Sequence, residues 1–232
     1  MASKSVKRAK PVKDTPAQDV AGQKQPRSIV ASIVELMVII AVALGLALAI
    51  EAFVIKPYRI PSGSMEPTLK VGQRVLVNRI GMDFGKPHVG EIAVFHPSTG
   101  AEQQQCGPTP YTIRFGGAAC SQPIPKEASV TFIKRVVAGP GDEIYVKEGH
   151  VYREAAGTSH FVREQDSYIK PCGTSRECNF LTPIKIPAGH WFMMGDNRGD
   201  SDDSRFWGPV PTGWVIGGAF ATYWPPDRVG VF

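Results

Sequence analysis

The sequence predicts a mostly β fold, a coiled antiparallel β-sheet domain with a small loop-rich or β subdomain, preceded by one transmembrane helix. Three observations carry that reading. Glycine (24) and proline (20) are plentiful in a chain of 232 residues, a composition that favours turns over long helices. Short apolar runs alternate with turn signals through most of the chain, and no helical crossovers stand between them to build a parallel sheet. A single long apolar stretch lies near the amino terminus.

Residues 1–27 come first. Lys4, Lys7, Arg8, Lys10, Lys13, Lys24 and Arg27 stand against only Asp14 and Asp19, so this segment accounts for the whole formal charge of +5. With Pro11, Pro16 and Pro26 among Ser, Thr, Ala and Gln, it reads as a disordered basic cytoplasmic tail. Charges balance in the remainder of the chain. No basic patch is left for a polyanion, which excludes nucleic acid as a partner.

From Ser28 to Ile50 the chain is apolar apart from Glu35. As a helix it would span roughly 34 Å, enough for a hydrocarbon core of about 30 Å. The window can slide to Ile55, giving an anchor over 28–55 with membrane lipid as its partner. Glu35 then sits near the cytoplasmic end as a snorkelling side chain. The basic excess before the helix keeps the tail in the cytoplasm and places residues 56–232 outside. Ala47-Leu48-Ala49 has the small-x-small form of a cleavable signal. The tail is long for that role and apolar character resumes at Ala52-Phe53-Val54-Ile55, so the segment is expected to be retained.

Four cysteines in an exported domain fit disulfide chemistry. Cys172 and Cys178 enclose a short loop, and Cys106 and Cys120 flank a Gly/Pro-containing one. Three pairings remain open from sequence. Neither pair has the tight spacing of structural zinc ligands.

Strands are expected at Arg74–Asn78, Glu91–Phe95, Ser129–Val137, Glu143–Val146, His150–Tyr152 and Trp191–Met194. A loop containing Gly81, Gly85 and Pro87 separates the first two. Gly139-Pro-Gly-Asp142 is a strong turn after the third. Regions of about 97–128 and 155–185 read as loop-rich or subdomain insertions.

For chemistry, the five histidines (His88, His96, His150, His160, His190) sit in no nucleophile-elbow or zinc-binding pattern. The acidic run near residue 200 fails the spacing of an EF-hand calcium loop. No metal and no cofactor are expected. In Tyr58-Arg-Ile-Pro-Ser-Gly-Ser-Met-Glu-Pro-Thr-Leu69, Gly63 permits a tight bend and Pro61 and Pro67 fix the chain around it. A serine presented there needs a base to take its proton. Lys134 lies inside the apolar strand, on the face shared by Phe132 and Val136, while Ile133, Arg135 and Val137 face the other way. One of the two cations is thus directed inward. Burial lowers a lysine pKa, and bringing it from about 10.4 to about 7.4 represents roughly 4 kcal/mol. The third segment, Gly195–Arg205, is dense in polar groups, and a buried Asp203–Arg205 pair could brace a nearby site. Singly, these segments read as a turn, an edge-strand lysine and an acidic loop.

Together, and in this order, they resemble the signature boxes of type I signal peptidase, the bacterial leader peptidase family of Ser-Lys serine proteases. The resemblance runs from about Val34 to Trp224. It rests on Pro61-Ser-Gly-Ser-Met-Glu-Pro-Thr-Leu69, Lys134-Arg-Val-Val-Ala-Gly-Pro-Gly-Asp142, and Gly195-Asp-Asn-Arg198 with Ser201-Asp-Asp-Ser-Arg205. It implies a nucleophile at Ser64 with Lys134 as its neutral base, and an oxyanion hole from Ser62 and the Ser64 amide. Ser201 would orient the lysine, with Asp203 and Arg205 as support. Gly199-Asp200 departs from the Asp-Asn of many members, which bears on local loop contacts. The resemblance further implies that Ile60, Met65, Leu69, Phe132 and Ile133 line a shallow pocket for the residue before the cut, and Tyr58, Val75 and Ile133 one two places earlier. The expected substrates are signal-peptide-bearing preproteins cut after a small-x-small site, close to the secretion translocon. The expected location is the bacterial inner membrane, with a single span and the catalytic domain 56–232 on the periplasmic side. A dedicated Ser-Lys maturation peptidase of a conjugative transfer or pilus system is the enzymatic alternative. A noncatalytic anchored β module is the alternative of another class.

Overall fold

The computed structural model of the protein describes residues 28–79, 86–112, 118–173 and 178–232. The basic tail and the Gly81–Gly85 part of the expected loop lie outside these residues. The apolar stretch forms a helix, Ile29–Phe53, of which Ile29–Glu51 has a mean hydropathy of 2.8, long and apolar enough to cross a membrane.

In the β-rich unit, fourteen strands follow in chain order. They are β1 (Ile55–Arg59), β2 (Arg74–Asn78), β3 (Ile92–Phe95), β4 (Gln105–Cys106), β5 (Tyr111–Thr112), β6 (Phe132–Ala138) and β7 (Glu143–Lys147). Then come β8 (His150–Glu154), β9 (Val162–Arg163), β10 (Phe180–Lys185), β11 (His190–Met194), β12 (Val210–Pro211), β13 (Val215–Trp224) and β14 (Gly230–Val231). The main sheet has the order β1-β2-β13-β3-β6-β11-β12, with β14 paired to β13. Its ladders are antiparallel, and register shifts in β11 and β13 curl it. A second sheet, β10-β7-β8-β9, and a small β4-β5 hairpin complete the fold. Two expected insertions therefore contain strands: β4 and β5 in 97–128, β9 and most of β10 in 155–185.

The middle of the main sheet is covered on both faces. Along β3, Ile92 and Val94 enter one apolar cluster with Met65, Leu69 and Val75. Ala93 and Phe95 enter another with Trp191, Met193 and Trp207. Strand β11 alternates likewise, with Phe192 and Met194 packed against the second sheet beside Ile144 and Phe180. This double coverage determines where the charged residues of β6 end up. Lys134 and Arg135 point to opposite faces, yet both are buried. The expectation that one of these cations faces inward therefore captures half of the arrangement.

Candidate active site

Strand β1 leads through Ile60 into a single 3-10 turn, Gly63–Met65, and Ser62 precedes that turn in extended conformation. Met65 and Leu69 are fully buried in the cluster beneath it, so the turn is pinned by its apolar residues while its serines face a cleft. That cleft, of about 650 Å³, is lined by Ser62, Gly63 and Ser64 on one side and by Val130–Lys134 on another. Gly199–Asp202 and the side chains of Glu102 and Gln104 border it as well.

Strand β6 pairs with β3, with Lys134 opposite Ala93, and this ladder carries the amine to the serine turn. Lys134 Nζ lies 2.6 Å from Ser64 Oγ, and Ser62 Oγ lies 3.3 Å from the same oxygen. Burial strips water from the ammonium and lowers the Lys134 pKa to about 8. Asp203, Asp202 and Asp200 oppose that shift by favouring the charged form, and Arg205 reinforces it.

Behind the lysine stands a fully buried carboxylate. Asp203 accepts Arg205 Nε at 2.8 Å, Arg205 Nη2 at 2.9 Å and the Gly195 amide at 3.1 Å. The two guanidinium bonds and the nearby ammonium hold its pKa below the usual carboxylate range despite complete burial. Ser201 Oγ donates to Asp203 Oδ2 at 2.7 Å. Ser201 thus reaches the lysine's surroundings through this carboxylate rather than by a direct bond to the amine. Arg205 also donates to the carbonyls of Arg198, Ser201 and Cys178, which locks the Gly195–Arg205 segment around the pair. Asp203 and Arg205 flank the start of a short helix, Ser204–Trp207, where Asp203 serves as the N-cap.

Several participants have no individual signal in the sequence. Arg135, next to Lys134 on the opposite face, is held by Asp196 through bonds of 2.9 and 2.7 Å. Thr68 donates to the same carboxylate at 2.6 Å, so Asp196 ties the serine turn to β6. The Asn197 amide donates to the Ser64 carbonyl at 3.0 Å, and Asn197 Nδ2 donates to the Gly63 carbonyl at 3.2 Å. Gly195 lacks room for any side chain: a Cβ would collide with Ser201 Oγ and the Ser64 carbonyl oxygen. A glycine at the head of the polar run is the one cue to this. Glu102 and Gln104 arrive from a loop-rich region whose pattern points to no chemistry.

The expected pocket residues divide into two groups. Phe132 and Ile133 line the cleft. Ile60, Met65, Leu69 and Val75 lie beneath it in one buried cluster, with Tyr58 half-buried against them. The cysteines pair as Cys106–Cys120 and Cys172–Cys178, with Cα separations of 5.7 and 6.1 Å.

This geometry agrees with what the chain is similar to. A "Probable signal peptidase I-1" of Synechocystis sp. is 35% identical over 83% of this chain and 83% of its own length. A signal peptidase I of Leptolyngbya laminosa is 35% identical over 93% of this chain and 90% of its own. A signal peptidase I of Pseudomonas aeruginosa is 30% identical over 80% and 71% respectively. Residues 33–224 match the family described as signal peptidase, peptidase S26, and the chain belongs to that family of serine peptidases.

Proposed function

We propose that Ser64 and Lys134 form a catalytic dyad that removes signal peptides from exported preproteins after a small-x-small site. The observation that carries this is the 2.6 Å approach of a desolvated lysine amine to a buried serine hydroxyl. A neutral amine at that distance accepts the hydroxyl proton as Ser64 Oγ attacks the scissile carbonyl. The Ser62 hydroxyl and the Ser64 amide stabilise the oxyanion that develops. The lysine ammonium then protonates the leaving amine, and the regenerated base activates water to hydrolyse the acyl-enzyme. Ser201, Asp203 and Arg205 hold the surroundings of the lysine.

Phe132 and Ile133 form the apolar side of the cleft, and the tightly packed cluster below leaves it shallow, which suits alanine before the cut. The helix Ile29–Phe53 anchors the protein, and the basic tail keeps that end in the cytoplasm, so the dyad works on the outer side of the bacterial inner membrane. The substrates are membrane-bound preproteins emerging from the translocon.

The test is cleavage of several unrelated preproteins by full-length protein in detergent or lipid, with the new termini read by mass spectrometry. Wild type cuts each after a small-x-small site, while Ser64→Ala and Lys134→Ala remain folded and inactive. Normal turnover by Lys134→Ala at neutral pH defeats the reading, and cleavage of one preprotein alone favours a dedicated maturation peptidase.

A further inference from the structure

Both half-cystines of one disulfide touch the segment that braces the candidate dyad, and neither is placed by a helix or by one of the fourteen strands. Strand β9 ends at Arg163 and β10 begins at Phe180, so the described chain between them is irregular. It nevertheless runs along the polar segment. The Lys170 amide donates to the Asp196 carbonyl at 2.8 Å, and the Arg198 amide donates to the Lys170 carbonyl at 3.0 Å.

Two residues later, Cys172 packs on Gly199, where an added Cβ would lie 3.3 Å from the Cys172 Cβ. At the far end of the same cross-link, Cys178 Sγ lies 3.5 Å from the Arg198 carbonyl oxygen. The Cys178 carbonyl accepts Arg205 Nη1 at 3.2 Å, and Cys178 itself lines the cleft. Gly149 backs the arrangement: its carbonyl accepts Arg198 Nη1, and a Cβ on it would lie 3.2 Å from Cys172 Sγ. A chain of contacts therefore runs from the S–S bond through Arg198 and Arg205 to Asp203, Ser201 and the surroundings of Lys134.

We propose that the Cys172–Cys178 disulfide is a positioning element for the active site, holding the Arg198–Arg205 segment in place so that turnover depends on the bond being closed. The inference rests on the dyad reading above. Its physical basis is that Arg205 is buried and divides its donors between the Asp203 carboxylate and three carbonyls. Release of the Cys178 carbonyl leaves one of those donors unpaired and lets the guanidinium and its carboxylate shift together. A dithiol reductant opens the bond by supplying two electrons and two protons, giving two thiols and becoming a disulfide itself.

The experiment compares full-length wild type, Cys172→Ser/Cys178→Ser and Ser64→Ala in detergent micelles on one preprotein. Active sites are counted by the acyl-enzyme burst, and assays run well below each protein's Tm. The expected result for the double variant is a kcat per counted site lower by about tenfold to a hundredfold, the scale of a misplacement near 1 Å, with KM unchanged. A purely structural cross-link lowers Tm and the number of competent sites but leaves kcat per site at the wild-type value, and that outcome overturns the proposal. If the double variant does not fold, a Cys106→Ser/Cys120→Ser protein treated with dithiothreitol decides the matter. It is expected to lose kcat with its circular dichroism spectrum intact and to regain it on reoxidation; kcat that does not respond to the reductant overturns the proposal. Cleavage by Ser64→Ala instead refutes the dyad reading, which separates the two failures.

Discussion

Replacing Lys134 with methionine should abolish cleavage and make the protein more stable at neutral pH. The amine is 5% exposed, and its pKa lies at about 8 where an unfolded chain has 10.5. A folded-state pKa below the unfolded value means that the protonated amine is disfavoured by folding. Below pH 8 both states are protonated and the folded state bears the whole cost, about 3 kcal/mol. As pH rises from 8 toward 10.5 the folded protein sheds its proton first, and the cost falls to about 1 kcal/mol near pH 9.5. Methionine has a similar length and no charge to desolvate, so Lys134→Met removes this cost. Urea unfolding of both proteins, in detergent and followed by tryptophan fluorescence, should give a gain of up to about 3 kcal/mol at pH 7 that shrinks steadily to pH 9.5. A gain independent of pH, or a loss of stability at pH 7, would refute the argument that burial of the ammonium dominates.

The same titration governs rate: kcat/KM should rise with pH through a midpoint near the lysine pKa of about 8. Asp202→Asn removes a carboxylate that favours the ammonium, so its pH–rate profile should move to lower pH with the maximal rate kept; an unmoved midpoint would count against that coupling. Gly195→Ala forces a methyl group into Ser201 Oγ and the Ser64 carbonyl, and steady-state kinetics should show a loss of about a hundredfold in kcat, the scale of a displacement near 1 Å. Asp196→Asn leaves the buried Arg135 without its charged partner, and chemical denaturation should register a loss of about 3–5 kcal/mol.

The part of this fold that was legible in sequence is the part where one face of a strand alternates cleanly. Arg74–Asn78 reads as a strand because Val75 and Val77 are buried while Arg74 and Asn78 are exposed. Strand β13 follows a different rule. Its Gly217-Gly218-Ala219 centre has the composition of a turn, yet a Cβ at Gly217 would press on Val77 Cγ1 at 2.8 Å and collide with the Asn78 carbonyl. The strand is built of small residues because neighbouring chains come that close, and propensity cannot express this. Strand β1 was equally hidden: it carries a proline and follows the anchor directly, although all five of its residues pair with β2. At the site, the serine and lysine segments were found by their combined resemblance to a family. Their roles in the network were harder to read because Asp196 meets Arg135 across 61 positions and Asn197 meets Gly63 across 134.

Two adjacent cations in β6 show what separates a structural charge from a chemical one. Burial opposes both, and the protein compensates only one of them directly. Arg135 receives a two-point carboxylate bond from Asp196, stacks 3.9 Å from the Tyr168 ring, and has its pKa raised by that partner despite burial. Lys134 receives no carboxylate contact, because the nearest buried one, Asp203, is committed to Arg205, Ser201 and the Gly195 amide. Arg205 therefore does more than stabilise Asp203. It draws on a negative charge that would otherwise hold the lysine protonated, while the remaining attraction limits how far the pKa falls. A pKa of about 8 leaves roughly one lysine in ten neutral at pH 7, against about one in three thousand for a solvated lysine. The base is thus set by a balance between desolvation and a carboxylate shared with another cation, and the Ser201–Arg205 segment is the means by which one strand can carry both a fixed ion pair and a removable proton.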